Sequence, residues 1–197
     1  MPSVSSYLFI FCFFIFSIVV LATSNPDRVW YEQKRESKQT AIFDRSRVHV
    51  LRLGPGEDLL ASIWRYARVT NIYAASVASV VGSLTVTNIR YANQENGTSL
   101  KGHFEIVSVV GNIDLQNVDE ENYQGSGHIH ISCSDEMGVT VGGHLLEGNI
   151  VYTTAEITIL ELTNGIFSRV LDDSSTGSGY YELQVDHRDK LMNLTLP

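Results

Sequence analysis

The sequence predicts an α+β fold, a mixed and largely antiparallel sheet carrying one main helix. Three observations predict it. From Arg47 onward, short runs rich in Val, Ile, Thr and Tyr alternate with turn residues at hairpin-like spacing. One run alone, near residues 59–67, repeats its apolar positions with helical period. Five of the eight Phe fall in the first 22 residues, so the core beyond them rests on Val, Ile, Leu, Tyr and Ala, a mix that favours strands.

The elements follow in order. Leu8 to Ala22 is an almost unbroken apolar run, shorter than the roughly 20 residues a membrane-crossing helix needs. Val20, Ala22 and Ser24 offer the small residues a signal peptidase reads, so residues 1–24 are expected to be a signal peptide. The stretch ahead of the run has no Lys or Arg, and a retained signal anchor is the alternative. No later segment is long and apolar enough to span a bilayer, so the expected protein is secreted or lumenal, off the membrane once the leader is removed. The remainder is enough for one domain, with an ordinary apolar content of about 40%.

Residues 25–46 are polar, charged and aperiodic, which predicts a flexible arm. The folded domain is expected over 47–187, with a tail at 188–197. Val48, Val50 and either Leu51 or Leu53 begin a strand that stops at the turn Gly54-Pro55-Gly56. Glu57 and Asp58 then suit the first turn of a helix, where acids complement the dipole. Leu59, Leu60, Ile63, Trp64 and Ala67 form its apolar face, and Asn71 suits its end. Strands are expected near 73–81, 83–92, 100–110, 127–134, 139–145, 150–162 and 179–186, with the longest loops at 93–99, 116–126 and 171–178.

Of the two cysteines, Cys12 lies in the leader, so the mature chain has no internal disulfide and Cys133 reads as an inert buried thiol. Asn96-Gly97-Thr98 and Asn193-Leu194-Thr195 are glycosylation sequons, which matter if the leader routes the chain to the secretory pathway. The charge is uneven: 7 Lys/Arg and 4 Asp/Glu up to Arg52, against 7 and 18 from Leu53 onward. A body at −11 repels a polyanion, so no nucleic-acid partner is expected.

Chemistry concentrates in Gly127-His128-Ile129-His130-Ile131-Ser132. In a strand, His128 and His130 project from one face and the isoleucines from the other. After the turn at 134–138, residues Val139 to His144 return alongside. A four-residue turn pairing Ser134 with Val139 would put Gly143 opposite His130 and leave His144 on the wrong face. A bulge at Gly142-Gly143 would correct this. Three converging imidazoles with an open position make a catalytic zinc-type site, in which the metal acidifies water or polarises a carbonyl. By the same facing logic His103, Glu105 and Glu156 are each candidates to hydrogen-bond a ligand histidine or to act as general base, and Glu105 and Glu156 are the expected catalytic residues.

The stretch from Arg47 to Val185 resembles the plants-and-prokaryotes-conserved (PPC) domain. The resemblance is carried by Leu51-Arg52-Leu53-Gly54-Pro55-Gly56-Glu57-Asp58, Val81-Gly82-Ser83-Leu84, Gly102-His103-Phe104-Glu105-Ile106, Gly127-His128-Ile129-His130, Gly142-Gly143-His144-Leu145 and Thr154-Ala155-Glu156. It implies an α+β fold, a homotrimeric assembly and, as in prokaryotic-type members, a His-x-His plus Gly-Gly-His motif here at His128, His130 and His144. The fold is similar to that of acetolactate decarboxylase, whose site holds zinc through three His. Plant nuclear members add an AT-hook with an Arg-Gly-Arg-Pro core, which this chain lacks, and commonly have Arg where this chain has His103. The expected protein is therefore a zinc-binding homotrimer, a metal-dependent lyase or hydrolase on a small carbonyl compound, with a noncatalytic trimeric interaction module as the alternative and a DNA-binding regulator disfavoured.

Overall fold

The computed structural model describes residues 43–115, 126–171 and 180–188. The expected signal peptide, nearly all of the arm, the tail beyond Arg188, most of the 116–126 and 171–178 loops and the second sequon lie outside the described residues. No helix among the described residues is long and apolar enough to cross a membrane.

Two long antiparallel strands organise the domain: β2 (Ala75–Arg90) and β3 (Thr98–Asp114), of 16 and 17 residues. Around them lie β1 (Ser46–Leu53), β4 (Ser126–Ser134), β5 (Thr140–Leu145) and β6 (Ile150–Leu162), in the sheet order β1-β6-β2-β3-β4-β5. Every pairing in it is antiparallel. The far end of β2 also pairs with β5, through Ile89↔Leu145 and Arg90↔His144. Strands β2, β3, β4 and β5 thus close into a ring, with β6 and β1 extending its wall.

Closure requires bending, and β2 shifts register against its neighbours at Val77/Ser79, Gly82/Leu84 and Leu84/Val86. Two expected strands, 73–81 and 83–92, are therefore one. Gly82 is a bend inside a strand and not a turn. Its φ of +154° suits glycine, and a Cβ there would lie 2.1 Å from the Thr154 carbonyl oxygen. Gly111 repeats this on β3, with φ +154° and a Cβ that would lie 2.1 Å from the His128 carbonyl oxygen.

Helix α1 (Leu59–Val69) buries Leu59, Leu60, Ile63, Trp64 and Ala67, the face expected from periodicity. Its start differs from expectation: Glu57 and Asp58 precede the first turn, which holds no acid. Asp58 is the N-cap. One carboxylate oxygen accepts from the Ala61 N–H at 3.0 Å and the other from the Gly148 N–H at 2.5 Å, tying the helix to the β5–β6 connection. Asn71, at φ +56°, ends the helix in the left-handed conformation.

Inside the ring Leu84, Ile89, Val109, Ile129, Ile131, Cys133 and Leu145 form a continuous core with the helix. Burial raises the Cys133 thiol pKa, and its S–H donates to Thr87, as suits an inert residue. A strand absent from the sequence expectation, β7 (Gly165–Leu171), pairs with β8 (Tyr181–His187) as a separate two-stranded sheet. It follows β6 after only Thr163-Asn164, so its apolar residues Ile166 and Phe167 look like a continuation of the preceding run. His49, given no role from sequence, bridges the Tyr66 hydroxyl and the Glu161 carboxylate at 2.9 Å each, joining β1 to α1 and β6.

Candidate metal centre

On β4, Ile129, Ile131 and Cys133 face the core, which sends His128 and His130 outward. The connection to β5 runs over five residues, Asp135–Val139. The Asp135 carboxylate accepts from the Met137 and Val139 N–H groups at 2.9 and 2.8 Å, and Gly138 takes φ +77°. Ser134 therefore pairs with Thr140, not Val139, and His130 stands directly opposite His144. The bulge expected at Gly142-Gly143 is absent, because the extra residue sits in the turn. The glycines serve close approach instead: a Cβ on Gly143 would lie 2.6 Å from the Arg90 carbonyl oxygen, and one on Gly142 2.9 Å from that of Ile131. A larger residue would wedge β5 away from β2 or β4.

The three histidines each offer a ring nitrogen, all within 4.8 Å of one another. The Nε2 atoms of His128 and His130 are 2.9 Å apart, and the ring centroids are separated by 4.7, 5.4 and 5.6 Å. Two nitrogens on one tetrahedral zinc, with bonds of about 2.0–2.1 Å, stand roughly 3.3 Å apart. The triad fits such an ion with small side-chain rotations. His144 Nδ1 is buried and has no hydrogen-bond partner.

Electrostatics favour the neutral form of two of the three, His144 and His128. Burial, then the Arg90 guanidinium, lower the His144 pKa from 6.5 to about 4. Burial, then His130 and Arg169, lower that of His128. Neutral imidazole is the form that ligates a metal.

The expected carboxylates do not join them. Glu105 faces outward as its parity requires but stands opposite Ser134, four residues from His130 and so about 13 Å along the strand. Glu156 lies on β6, between Arg52 and Val81. His103 stacks on Tyr152, ring centroids 4.2 Å apart. Facing direction was inferred correctly, whereas position along the strand was not.

Sequence reasoning missed what does surround the triad. Arg90 stands directly opposite His144 across the β2–β5 pair. Arg169 reaches in from β7, its Nε 3.5 Å from the fully buried Asp114 carboxylate. With Tyr181 and Glu182 they line an open cavity of about 1130 Å³ that His128 and His144 share.

Residues 41–163 match the model of the Plants and Prokaryotes Conserved (PCC) domain. This chain belongs to the PCC domain family. Its sequence is 36% identical to part of the bifunctional protein GlmU of a Synechococcus strain, over 77% of this chain but only 22% of that protein, so the chain spans about a fifth of that relative. The PCC fold superposes on a hypothetical protein from Salmonella enterica with a TM-score of 0.67, at 36% identity, covering 77% of this chain and 99% of that one. A metal-containing protein from Archaeoglobus fulgidus superposes with a TM-score of 0.60, at 26% identity, covering 74% of this chain and 98% of that one.

Proposed function

We propose that this PCC-domain chain binds zinc through His128, His130 and His144 and acts as a metal-dependent lyase or hydrolase on a small carbonyl compound. The observation that carries this reading is the meeting of three ring nitrogens, two of which, on His128 and His144, belong to residues that line an open cavity and favour the neutral form. Three protein ligands would leave a fourth position, at which the ion would polarise a carbonyl or acidify water. The similarity to a metal-containing archaeal protein supports the metal and says nothing of the reaction. Glu182, which lines the cavity, replaces Glu105 and Glu156 as the proposed acid–base group.

The protein works, in this reading, as a secreted or lumenal homotrimer. The apolar leader supports the compartment, and Asn96 of the first sequon lies exposed in the β2–β3 loop, open to a glycan. A noncatalytic interaction module is the second reading. It is favoured by Val81, Val107 and Val110, which are 64, 57 and 54% exposed.

Metal analysis of the purified protein and of His130→Ala tests the site. One zinc per chain in the wild type, lost on chelation and absent from a folded His130→Ala, is the expected result. Equal zinc in both proteins would rule the triad out.

A further inference from the structure

We infer that the cavity beside the three histidines holds a small oxyanion, a carboxylate or a phosphate group, between Arg90 and Arg169. This deepens the proposed function and rests on that reading for the ion, but not for the two arginines. The cavity draws its guanidiniums from distant parts of the chain. Arg90 comes from the last position of β2 and Arg169 from β7, 79 positions later.

Each guanidinium is held in place. Arg90 Nη1 donates to the Gln94 carbonyl oxygen at 3.2 Å, which anchors one of its five N–H donors beside the cavity that both residues line. The Arg169 side chain is 11% exposed, and Asp114, wholly buried at the end of β3, fixes its Nε side. Both arginines line the same cavity as His128 and His144, and Arg90 stands directly opposite His144 across the β2–β5 pair.

Charge decides which ligand suits the cavity. Glu95 and Glu182 also line it, so the two arginines are balanced when no ion is present. A dication held by the histidines adds two positive charges, and the loaded cavity becomes cationic. The body around it carries −11, so no long-range field draws anions in. Recognition must come from direct contact, for which the guanidinium fork matches the two oxygens of a carboxylate or phosphate. A ligand whose oxyanion lies on the arginines would place its neighbouring atoms against the histidines.

The test uses the full mature protein, with metal content measured first. Pyruvate, its neutral methyl ester and inorganic phosphate are titrated calorimetrically into wild type, Arg90→Gln and Arg90→Lys. The expected result is saturable binding of pyruvate or of phosphate. Whichever binds identifies the source of the oxyanion. Methyl pyruvate should not bind, and Arg90→Gln should weaken the anion at least tenfold, about 1.4 kcal/mol, with zinc content unchanged. Arg90→Lys should lie between, because it keeps the charge and loses the fork. Arg169→Lys, which retains the charge opposite Asp114, supplies a second variant should Arg90→Gln fail to fold. Binding by Arg90→Gln within twofold of wild type, equal binding of acid and ester, or no binding of either anion would overturn the inference. Wild type without metal that still binds the anion through Arg90 would leave the oxyanion subsite standing and sink the zinc reading alone.

Discussion

Asn149 should prove as important to the metal centre as the histidines, although it lies outside it. The residue is fully buried in the β5–β6 connection. Its Oδ1 accepts from the Thr87 hydroxyl and from the Asn88 N–H, both at 3.0 Å. Its Nδ2 donates to the carbonyl oxygens of Asn88 at 2.8 Å and Leu146 at 2.6 Å. These bonds hold the end of β5 against β2, where Arg90 meets His144. Asn149→Leu keeps the volume and removes all four. The Asn88 carbonyl still accepts from the Leu146 N–H, and Thr87 still accepts from Cys133. The Asn88 N–H, the Leu146 carbonyl and the Thr87 hydroxyl proton are then orphaned. At about 1–2 kcal/mol for each buried unsatisfied group, the loss is about 4 kcal/mol. With a urea m-value near 2 kcal/mol/M, the unfolding midpoint should fall by about 2 M. Thr87→Val, which deletes one of these bonds, should cost only about 1 kcal/mol. Urea titrations of the three proteins at one chain concentration read both values, and zinc affinity should fall with Asn149→Leu because His144 is no longer held in register. A loss for Asn149→Leu no larger than that for Thr87→Val would refute the idea that this amide closes the ring.

Three further outcomes are expected. In metal-free protein, His144 should titrate near pH 4 and not near 6.5, and Arg90→Gln should raise that value; ring proton shifts in NMR read both. Because the unfolded chain binds this proton more readily, the stability it contributes is complete above pH 6.5 and declines as the pH falls towards 4, so acid unfolding should begin within that window. Sedimentation equilibrium of the mature protein should give three times the chain mass, and a strict monomer at micromolar concentration would contradict the trimer. Finally, a protein starting at Arg47 should show no sequence-preferring DNA binding at physiological salt, since its acidic body has few cations to release counterions; tight binding to AT-rich duplex in a mobility-shift assay would restore the regulator reading.

What could be read from the sequence was local. Alternation at Gly127–Ser132 put His128 and His130 on one face because side chains alternate along any strand. The α1 face followed from its 3.6-residue period, and Asn71 from its tolerance of the left-handed conformation. The α+β class followed from the same periodicities. Errors arose where a residue's meaning depended on a partner strand. Gly82 looks like a turn until the Thr154 carbonyl is seen to occupy the space of its Cβ.

The third ligand shows the limit. Whether His144 joins the pair depends on one residue of turn length, set by the Asp135 carboxylate and Gly138, and a one-residue slip reverses every side chain on β5. Facing direction alone made Glu105 and Glu156 plausible, yet the sheet spaces them from the triad. Arg90 and Arg169 carried no local signal, because they reach the cavity only when β2 bends to meet β5 and β7 folds against the end of β3. The sequence by itself determined which faces its strands and helix present, since those follow from covalent geometry. Tertiary structure alone decided which faces meet, since register and ring closure arise from backbone hydrogen bonds between segments far apart in the chain.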